Sequence, residues 1–147
     1  LPVRHLRKTD SSGKWCRTKE GCCTTPCTST PNAHATCYYH QVHVTTQKVV
    51  ERLGLKKDNY TVCFQSRLGR DEWIRPSTEE TLIALAKKGV EGVTVICPAF
   101  VADCLETLEE IKEELHDIFI EHGGKSFTYI PCLNDSDHWV KSLANQF

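Results

Sequence analysis

Four carboxylate side chains recur along one side of a predicted helix in the second half of the chain. Glu106 and Glu110 are four residues apart, and residues at this spacing share a helix face. Glu113 and Asp117 continue on the same side. The simplest interpretation is a solvated helix face, with Glu106 also serving as the capping-box partner of Asp103. The functional alternative is a track that binds a divalent cation or accepts a proton, because oxygen ligands and bases of tunable pKa suit those tasks.

Five of the nine cysteines are concentrated near the start of the chain, in a polar segment with little hydrophobic content. They are Cys16, Cys22, Cys23, Cys27 and Cys37. Thiolates suit zinc and iron–sulfur clusters, and metal binding would supply the order that such a segment lacks. The spacing does not match a standard C-x-x-C zinc pair, and it leaves zinc and a cluster equally open. Free or air-oxidised thiols are the remaining alternative.

The other cysteines and several histidines have simpler interpretations. His34, His40 and His43 are close enough in sequence to replace a thiolate at a zinc site, although His40 and His43 fit a helix face. The remaining four cysteines are spread through apolar stretches, where a free cysteine behaves as a small buried hydrophobe. They are Cys63, Cys97, Cys104 and Cys132.

The overall composition argues against several classes of protein. The 147 residues carry 18 Lys and Arg against 19 Asp and Glu, a formal charge of -1, so we expect no nucleic-acid partner. An odd number of cysteines without a secretory leader fits a disulfide framework poorly. No apolar run of membrane-span length is present, and the first residue is Leu1 instead of Met. We therefore expect a soluble, cytoplasmic piece of a longer protein.

Strands and helices are predicted to alternate along the chain after the cysteine-rich segment. Residues 1–31 show neither helical nor strand periodicity and are predicted to be irregular. Apolar periodicity and capping residues predict four helices, at 38–53, 77–89, 103–123 and 136–146. Short apolar, β-branched runs predict three strands, at 61–64, 93–97 and 127–133.

This order of elements predicts an α/β fold, an open parallel sheet with helices on both faces. In such folds, ligands bind beyond the carboxyl ends of the strands. The long helix, 103–123, has a predicted core face, which consists of Leu105, Leu108, Ile111, Leu115 and Ile118. We divide the chain into a cysteine-rich metal-binding segment, 1–37, and an α/β domain, 38–147.

Several linked motifs resemble the C-terminal domain of bacterial ferrochelatases. They are VCFQSRLG at 62–69, Glu72-Trp73, CPAFVADCLETLEE at 97–110 and IPCLND at 130–135. Together they extend from about Tyr60 to Trp139 and occur in the right order. Ferrochelatases insert Fe²⁺ into protoporphyrin IX to form protohaem, in a cleft between two similar α/β domains. The resemblance therefore implies this activity and a Rossmann-like, three-layer half-domain.

The resemblance also implies roles for particular residues. Glu106 matches the active-site glutamate of the family, and Glu110 matches the second carboxylate of its acidic track. Trp73 matches an aromatic residue that lines the porphyrin pocket, beside the loop that carries Gln65 and Ser66. The catalytic histidine of the family would precede the first residue of this chain. We therefore expect this half to be inactive without the N-terminal ferrochelatase domain.

The cysteine-rich segment resembles the insertion of a group of bacterial ferrochelatases that hold a 2Fe-2S cluster in an internal loop. The ligands that this resemblance favours are Cys16, Cys22, Cys23 and Cys37, with Cys27 as a substitute for any of them. Many relatives carry a histidine where this chain has Cys104, which argues against a metal-ligand role for that thiol.

Two alternatives stand beside a ferrochelatase function. One is a metal-binding or redox-sensing module in which the cysteine-rich segment is functional and the α/β unit is its scaffold. The other is a chelatase for another tetrapyrrole or another metal. The partners expected for a ferrochelatase are protoporphyrin IX, Fe²⁺ and the N-terminal domain, and an apolar substrate is compatible with peripheral contact with a membrane.

Overall fold

The computed structural model describes residues 1–9, 31–66 and 69–147 of the chain. These residues belong to two compact units, Leu1–Pro76 and Ser77–Phe147. None of the helices in the described ranges has the length and apolar character needed to cross a bilayer.

The described residues of the first unit form three α-helices and a short 3-10 helix. They are α1 (Val3–Lys8), α2 (Pro31–Thr36), α3 (Tyr38–Leu53) and the 3-10 helix Lys57–Asn59. The prediction for α3 is confirmed, and Gly54 ends the helix in the left-handed region with a φ of 64°. The prediction of an irregular segment over 1–31 is wrong at α1. Val3 and Leu6, one turn apart, are both buried, and this packing compensates for a helix too short to show periodicity.

The core of the first unit forms where four separate stretches of the described chain meet. Its buried residues are Val3, Leu6, Cys37, Phe64 and Ile74. Backbone bonds join three of them: the N–H of Ile74 donates to the carbonyl of Leu1 at 3.2 Å, and that of Phe64 to the carbonyl of Pro76 at 2.9 Å. The predicted strand at 61–64 is not formed. Pro76 has no N–H with which to continue the ladder beyond this point.

The second unit alternates helices and strands in the predicted order. Its elements are α4 (Thr78–Lys87), β1 (Gly92–Ile96), a π-helix (Glu106–Glu114), α5 (Leu115–Glu121), β2 (Ser126–Ile130) and α6 (Asp137–Ala144). The Ser77 hydroxyl caps α4 by accepting from the N–H of Glu80 at 3.2 Å, as the capping-box pattern predicts. The strands β1 and β2 are parallel, with Gly92 opposite Ser126 and Ile96 opposite Ile130.

One face of this two-stranded sheet packs against helices. Alternate residues of the strands, such as Val95 and Phe127, turn toward a buried cluster. The cluster consists of Leu82, Ala86, Ile111, Leu115 and Phe119. The opposite face remains exposed at Ile96 and Ile130. The α/β class is confirmed, whereas a sheet with helices on both faces and three layers is not confirmed in the described part of the chain.

The long helix predicted at 103–123 begins as a π-helix and continues as the α-helix α5. The backbone bonds of the π-helix span five residues, so the N–H of Leu115 donates to the carbonyl of Glu110. Every fourth residue is buried along the π-helix, at Thr107 and Ile111, and on into α5, at Leu115 and Phe119. Leu105 and Leu108 were placed on the core face by α-helical periodicity, and this prediction is wrong, because they are 75% and 45% exposed.

We predict that Gly124→Ala destabilises the second unit by about 1–3 kcal/mol, the usual cost of forcing an extra group into a packed core. A Cβ at Gly124 would collide with the ring of Phe119, which is fully buried and cannot move aside. Urea unfolding measures the change. In the matched control Gly92→Ala, the new Cβ meets the Ser126 hydroxyl, which can rotate away, so a smaller loss is expected. Equal losses in the two variants would contradict this account of the core.

Candidate active site

Glu106 is the first residue of the π-helix and lies beyond the carboxyl end of β1. Its side chain is half-buried, and its Oε2 accepts a hydrogen bond from the Cys104 thiol at 3.0 Å. This bond, together with one from the backbone N–H of Glu106, lowers the pKa of the carboxyl below its ordinary value. Glu106 is therefore held as a carboxylate, able to accept a proton.

Asp103 is the centre of the hydrogen-bond network beside Glu106. Its Oδ1 accepts from the Tyr129 hydroxyl at 2.6 Å and from the Thr107 hydroxyl at 3.1 Å. Its Oδ2 accepts from the Asn134 amide at 2.7 Å, and the N–H of Asp103 donates back to Asn134 Oδ1 at 2.8 Å. The network ties the segment that follows β1 to the segment that follows β2.

This network shifts the acidity of its members. Hydrogen bonds from Asn134 and then from Tyr129 hold the pKa of Asp103 well below its usual range. Burial and the hydrogen bond to the Asp103 carboxylate raise the pKa of Tyr129. Burial likewise raises the pKa of the Cys132 thiol, whose sulfur lies 3.5 Å from the Tyr129 hydroxyl. At neutral pH, Asp103 is thus an anion surrounded by neutral donors.

The predicted capping box at this helix is not formed. Asp103 accepts from the side chains described above and from the N–H of Cys132 at 3.3 Å, and no side chain caps the π-helix. The Glu106 carboxylate contacts the Cys104 thiol instead of the N–H of Asp103. At this turn, a backbone N–H is instead bound by the Thr107 hydroxyl, which accepts from the N–H of Cys104 at 2.9 Å.

The four predicted carboxylates do not form one uniform face. Glu106 and Glu110 are half-buried, whereas Glu113 and Asp117 are exposed. Glu113 pairs with Lys112 at 3.3 Å, and Asp117 contacts Nδ1 of His116 at 2.8 Å. Glu113 lies near the end of the π-helix, and Asp117 lies in α5.

The three predicted porphyrin-binding residues all lie in the first unit. Gln65 and Trp73 are half-buried, and Ser66 is exposed with a φ of 72°, in the left-handed region. Trp73 pairs with Pro2 in an isolated antiparallel bridge, next to the bonds that hold Ile74 to Leu1. Their substrate-binding role stays a prediction, as do the catalytic roles of Glu106 and Glu110 in the second unit.

Four of the five cysteines proposed as ligands, Cys16, Cys22, Cys23 and Cys27, lie outside the described residues. Cys37 is a buried free thiol that precedes α3. The rings of His34 and His40 stack with centroids 3.9 Å apart and nearly parallel planes. Across residues 1–9, 31–66 and 69–147, no three His, Cys, Asp or Glu side chains are grouped to hold a metal ion. The predicted ligand set is therefore untested.

The sequence interpretation missed the importance of Tyr129 and Asn134. Both were placed in or next to the third predicted strand, but neither was assigned a role. A signal was present, because ligands and polar networks in parallel α/β folds gather at the carboxyl ends of the strands. Pairing these residues with Asp103 required a contact across 26 and 31 residues of chain, which spacing alone does not reveal.

Comparisons with known proteins show the family to which the chain belongs. The ferrochelatase family model matches residues 1–147. A ferrochelatase from Opitutus terrae is 48% identical over 146 residues, which cover 99% of this chain and 41% of that protein. One from Ectopseudomonas mendocina is 48% identical over 143 residues, and one from Pseudomonas fluorescens is 48% identical over 144 residues. The chain belongs to the ferrochelatase family. It spans about two fifths of the length of these relatives.

We predict that Asp103→Asn lowers the free energy of unfolding at pH 7, and that its deficit relative to wild type shrinks as the pH falls. Because the pKa of Asp103 is lowered by folding, its carboxylate stabilises the fold above the unfolded value of about 3.9. That contribution is lost as the pH falls through the folded value. Urea unfolding at pH 7 and pH 3 measures the difference.

Asp135→Asn is the matched control, because Asp135 is an exposed carboxylate one residue beyond Asn134. It should change stability little at either pH. A deficit for Asp103→Asn that stays constant from pH 7 to pH 3 would mean that ionised Asp103 does not stabilise the fold.

Proposed function

We propose that this chain forms the glutamate-bearing part of a ferrochelatase, which inserts Fe²⁺ into protoporphyrin IX to form protohaem. The observation that carries the proposal is Glu106, a half-buried and ionised carboxylate beyond the carboxyl end of β1. It occurs in a chain that matches the ferrochelatase family over its whole length. The relatives support the same reaction, since each is named a ferrochelatase.

The chemistry needs a base at the porphyrin. Fe²⁺ replaces two pyrrole N–H protons, so two protons leave as the two iron–nitrogen bonds of the former pyrroles form. Glu106 is already ionised without substrate, so it can accept such a proton directly. In the chain without substrate, the hydrogen bond from the Cys104 thiol lowers the pKa of Glu106. A flat apolar ligand would remove water and raise the proton affinity of Glu106 on binding.

The other predicted residues complete the proposal. Glu110, one turn along the π-helix and also half-buried, would take protons onward from Glu106. Trp73, with Gln65 and Ser66 beside it, would bind the porphyrin ring, because aromatic walls with a few polar groups are typical of such pockets. The chain would work with the N-terminal ferrochelatase domain, which supplies the catalytic histidine. We propose a cytoplasmic location for the protein. Peripheral contact with a membrane would suit it, because the substrate is apolar.

We predict that joining this chain to the unmatched N-terminal part of the Opitutus terrae ferrochelatase produces an active enzyme, whereas the chain alone is inactive. Loss of porphyrin fluorescence on addition of Fe²⁺ or Zn²⁺ measures insertion. Glu106→Gln should lower the rate by about 10²–10⁴-fold, the usual contribution of a positioned base. Glu109→Gln, which removes an exposed carboxylate of the same helix, is the control and should retain the rate. Full activity of Glu106→Gln would refute the assignment.

We further propose that the cysteine-rich segment binds a 2Fe-2S cluster through Cys16, Cys22, Cys23 and Cys37, with Cys27 as the substitute. Four thiolates in a short polar segment suit such a cluster. Cys37 fits this donor set, because it is a free thiol at the point where α3 begins. A cluster there would fasten the segment to the core of the first unit, in which Cys37 is buried.

We predict that anaerobically purified protein is brown and contains two iron and two sulfide ions per chain. Cys16→Ser and Cys22→Ser should each abolish the visible absorption, because each removes a thiolate ligand. Cys63→Ser, which changes a half-buried thiol outside the segment, should leave the absorption unchanged. A colourless protein with one zinc would establish the zinc alternative. Metal content that is unaffected by Cys16→Ser and Cys22→Ser would show that the ligand set is wrong.

A further inference from the structure

Cys104 and Glu106 form a hydrogen bond that regular helix geometry does not permit. Residues two apart do not face each other on a helix. Here, Sγ of Cys104 lies 3.0 Å from Oε2 of Glu106. The contact is made because Cys104 precedes the helix in a non-helical conformation, so its side chain can turn toward the first residue of the π-helix.

The backbone of Cys104 is anchored by Thr107. The N–H of Cys104 donates to the Thr107 hydroxyl at 2.9 Å, and the carbonyl of Cys104 accepts from the N–H of Thr107 at 3.1 Å and from that of Leu108 at 3.0 Å. Thr107 is fully buried, and its hydroxyl also contacts Asp103. The thiol is therefore held in place by the same turn that begins the helix.

We propose that Cys104 is a positioning residue for Glu106: its thiol donates to the carboxylate and fixes the direction in which that carboxylate faces the substrate. The inference rests on the proposed function, in which Glu106 accepts a pyrrole proton. A hydrogen bond to a charged acceptor is about twice as strong as one between neutral groups. A carboxylate offers roughly four acceptor positions, so the thiol leaves room for the substrate proton.

The other titratable groups near Glu106 do not take the place of the Cys104 thiol as a hydrogen-bond donor to its carboxylate. Asp103 is occupied by Tyr129, Thr107 and Asn134, and Cys132 interacts electrostatically with both Asp103 and Cys104. Glu109 and Glu110, on the same helix, bear the same charge as Glu106. Within the described ranges, Cys104 is the only side chain that hydrogen-bonds to Glu106. Removing its thiol should leave the carboxylate free to turn.

Carbon-13 NMR of the full chain, with labelled glutamate carboxyl groups, tests the hydrogen bond without any assay of activity. The Glu106 signal, assigned from its loss in Glu106→Gln, should titrate below the ordinary glutamate value of about 4.3 in wild type and in Cys104→Ser. In Cys104→Ala it should return toward that value. Cys63→Ala, which removes a thiol that does not hydrogen-bond to Glu106, should match wild type. An unchanged midpoint in Cys104→Ala would overturn the proposal.

The joined enzyme tests whether the bond matters for catalysis. Cys104→Ala should lower kcat for metal insertion roughly 10- to 100-fold, the cost of a slightly misplaced catalytic group, with little change in KM for protoporphyrin. Cys104→Ser should restore most of the rate. An NMR shift in Cys104→Ala without loss of kcat would overturn the positioning role. A joined wild-type enzyme that is folded but inactive would overturn the proposed function itself, and the NMR result would then describe a structural bond only.

Discussion

The hydrogen bonds to the Asp103 carboxylate hold together the part of the chain on which the proposed chemistry depends. They bring the end of β2, through Tyr129 and Asn134, against the turn that follows β1. Thr107 extends the same network into the first turn of the π-helix. Because parallel strands end at one edge of their sheet, a single anion there can fix several segments at once. Glu106 is next to Thr107 in the turn that this network holds.

The π-helix is the second constraint, and it decides which side chains face inward. Every fourth position is buried along the π-helix and the following α5, from Thr107 to Phe119. Leu105 and Leu108 are consequently left on the surface, while Glu106 and Glu110 remain half-buried. Insertions of this kind inside helices occur frequently at functional sites. In this helix, two leucines are therefore exposed and two carboxylates are half-buried.

Sequence patterns correctly predicted those parts of the fold that depend on interactions between neighbouring residues. The end of α3 at Gly54 and the start of α4 at Ser77 followed from capping residues, because caps depend on a few neighbouring atoms. The prediction of a strand at 61–64 was wrong because strand pairing depends on a partner that is distant in sequence. The predicted core face of the long helix was wrong because Leu105 and Leu108 fit α-helical spacing and are nevertheless exposed. Nothing in that spacing distinguishes an α-turn from a π-turn.

The candidate site was predictable in part for the same reason. Motifs named Glu106, Glu110 and Trp73 as candidates, since a resemblance rests on residue types along the chain, and their roles stay predictions. The Cys104–Glu106 bond and the Asp103 network were not predictable, because they depend on backbone conformation and on contacts between separate segments. The predicted functional set divides between two units, with Trp73 in one and the glutamates in the other.

The initial rate of Fe²⁺ insertion by the joined enzyme carrying Asp103→Asn tests the account most directly. It should be measured at a pH and temperature where circular dichroism shows the variant to be folded. If the Asp103 network positions Glu106, the rate should fall by about 10- to 100-fold, as expected when a catalytic group is displaced by around 1 Å. A folded Asp103→Asn enzyme that inserts iron at the wild-type rate would contradict the account.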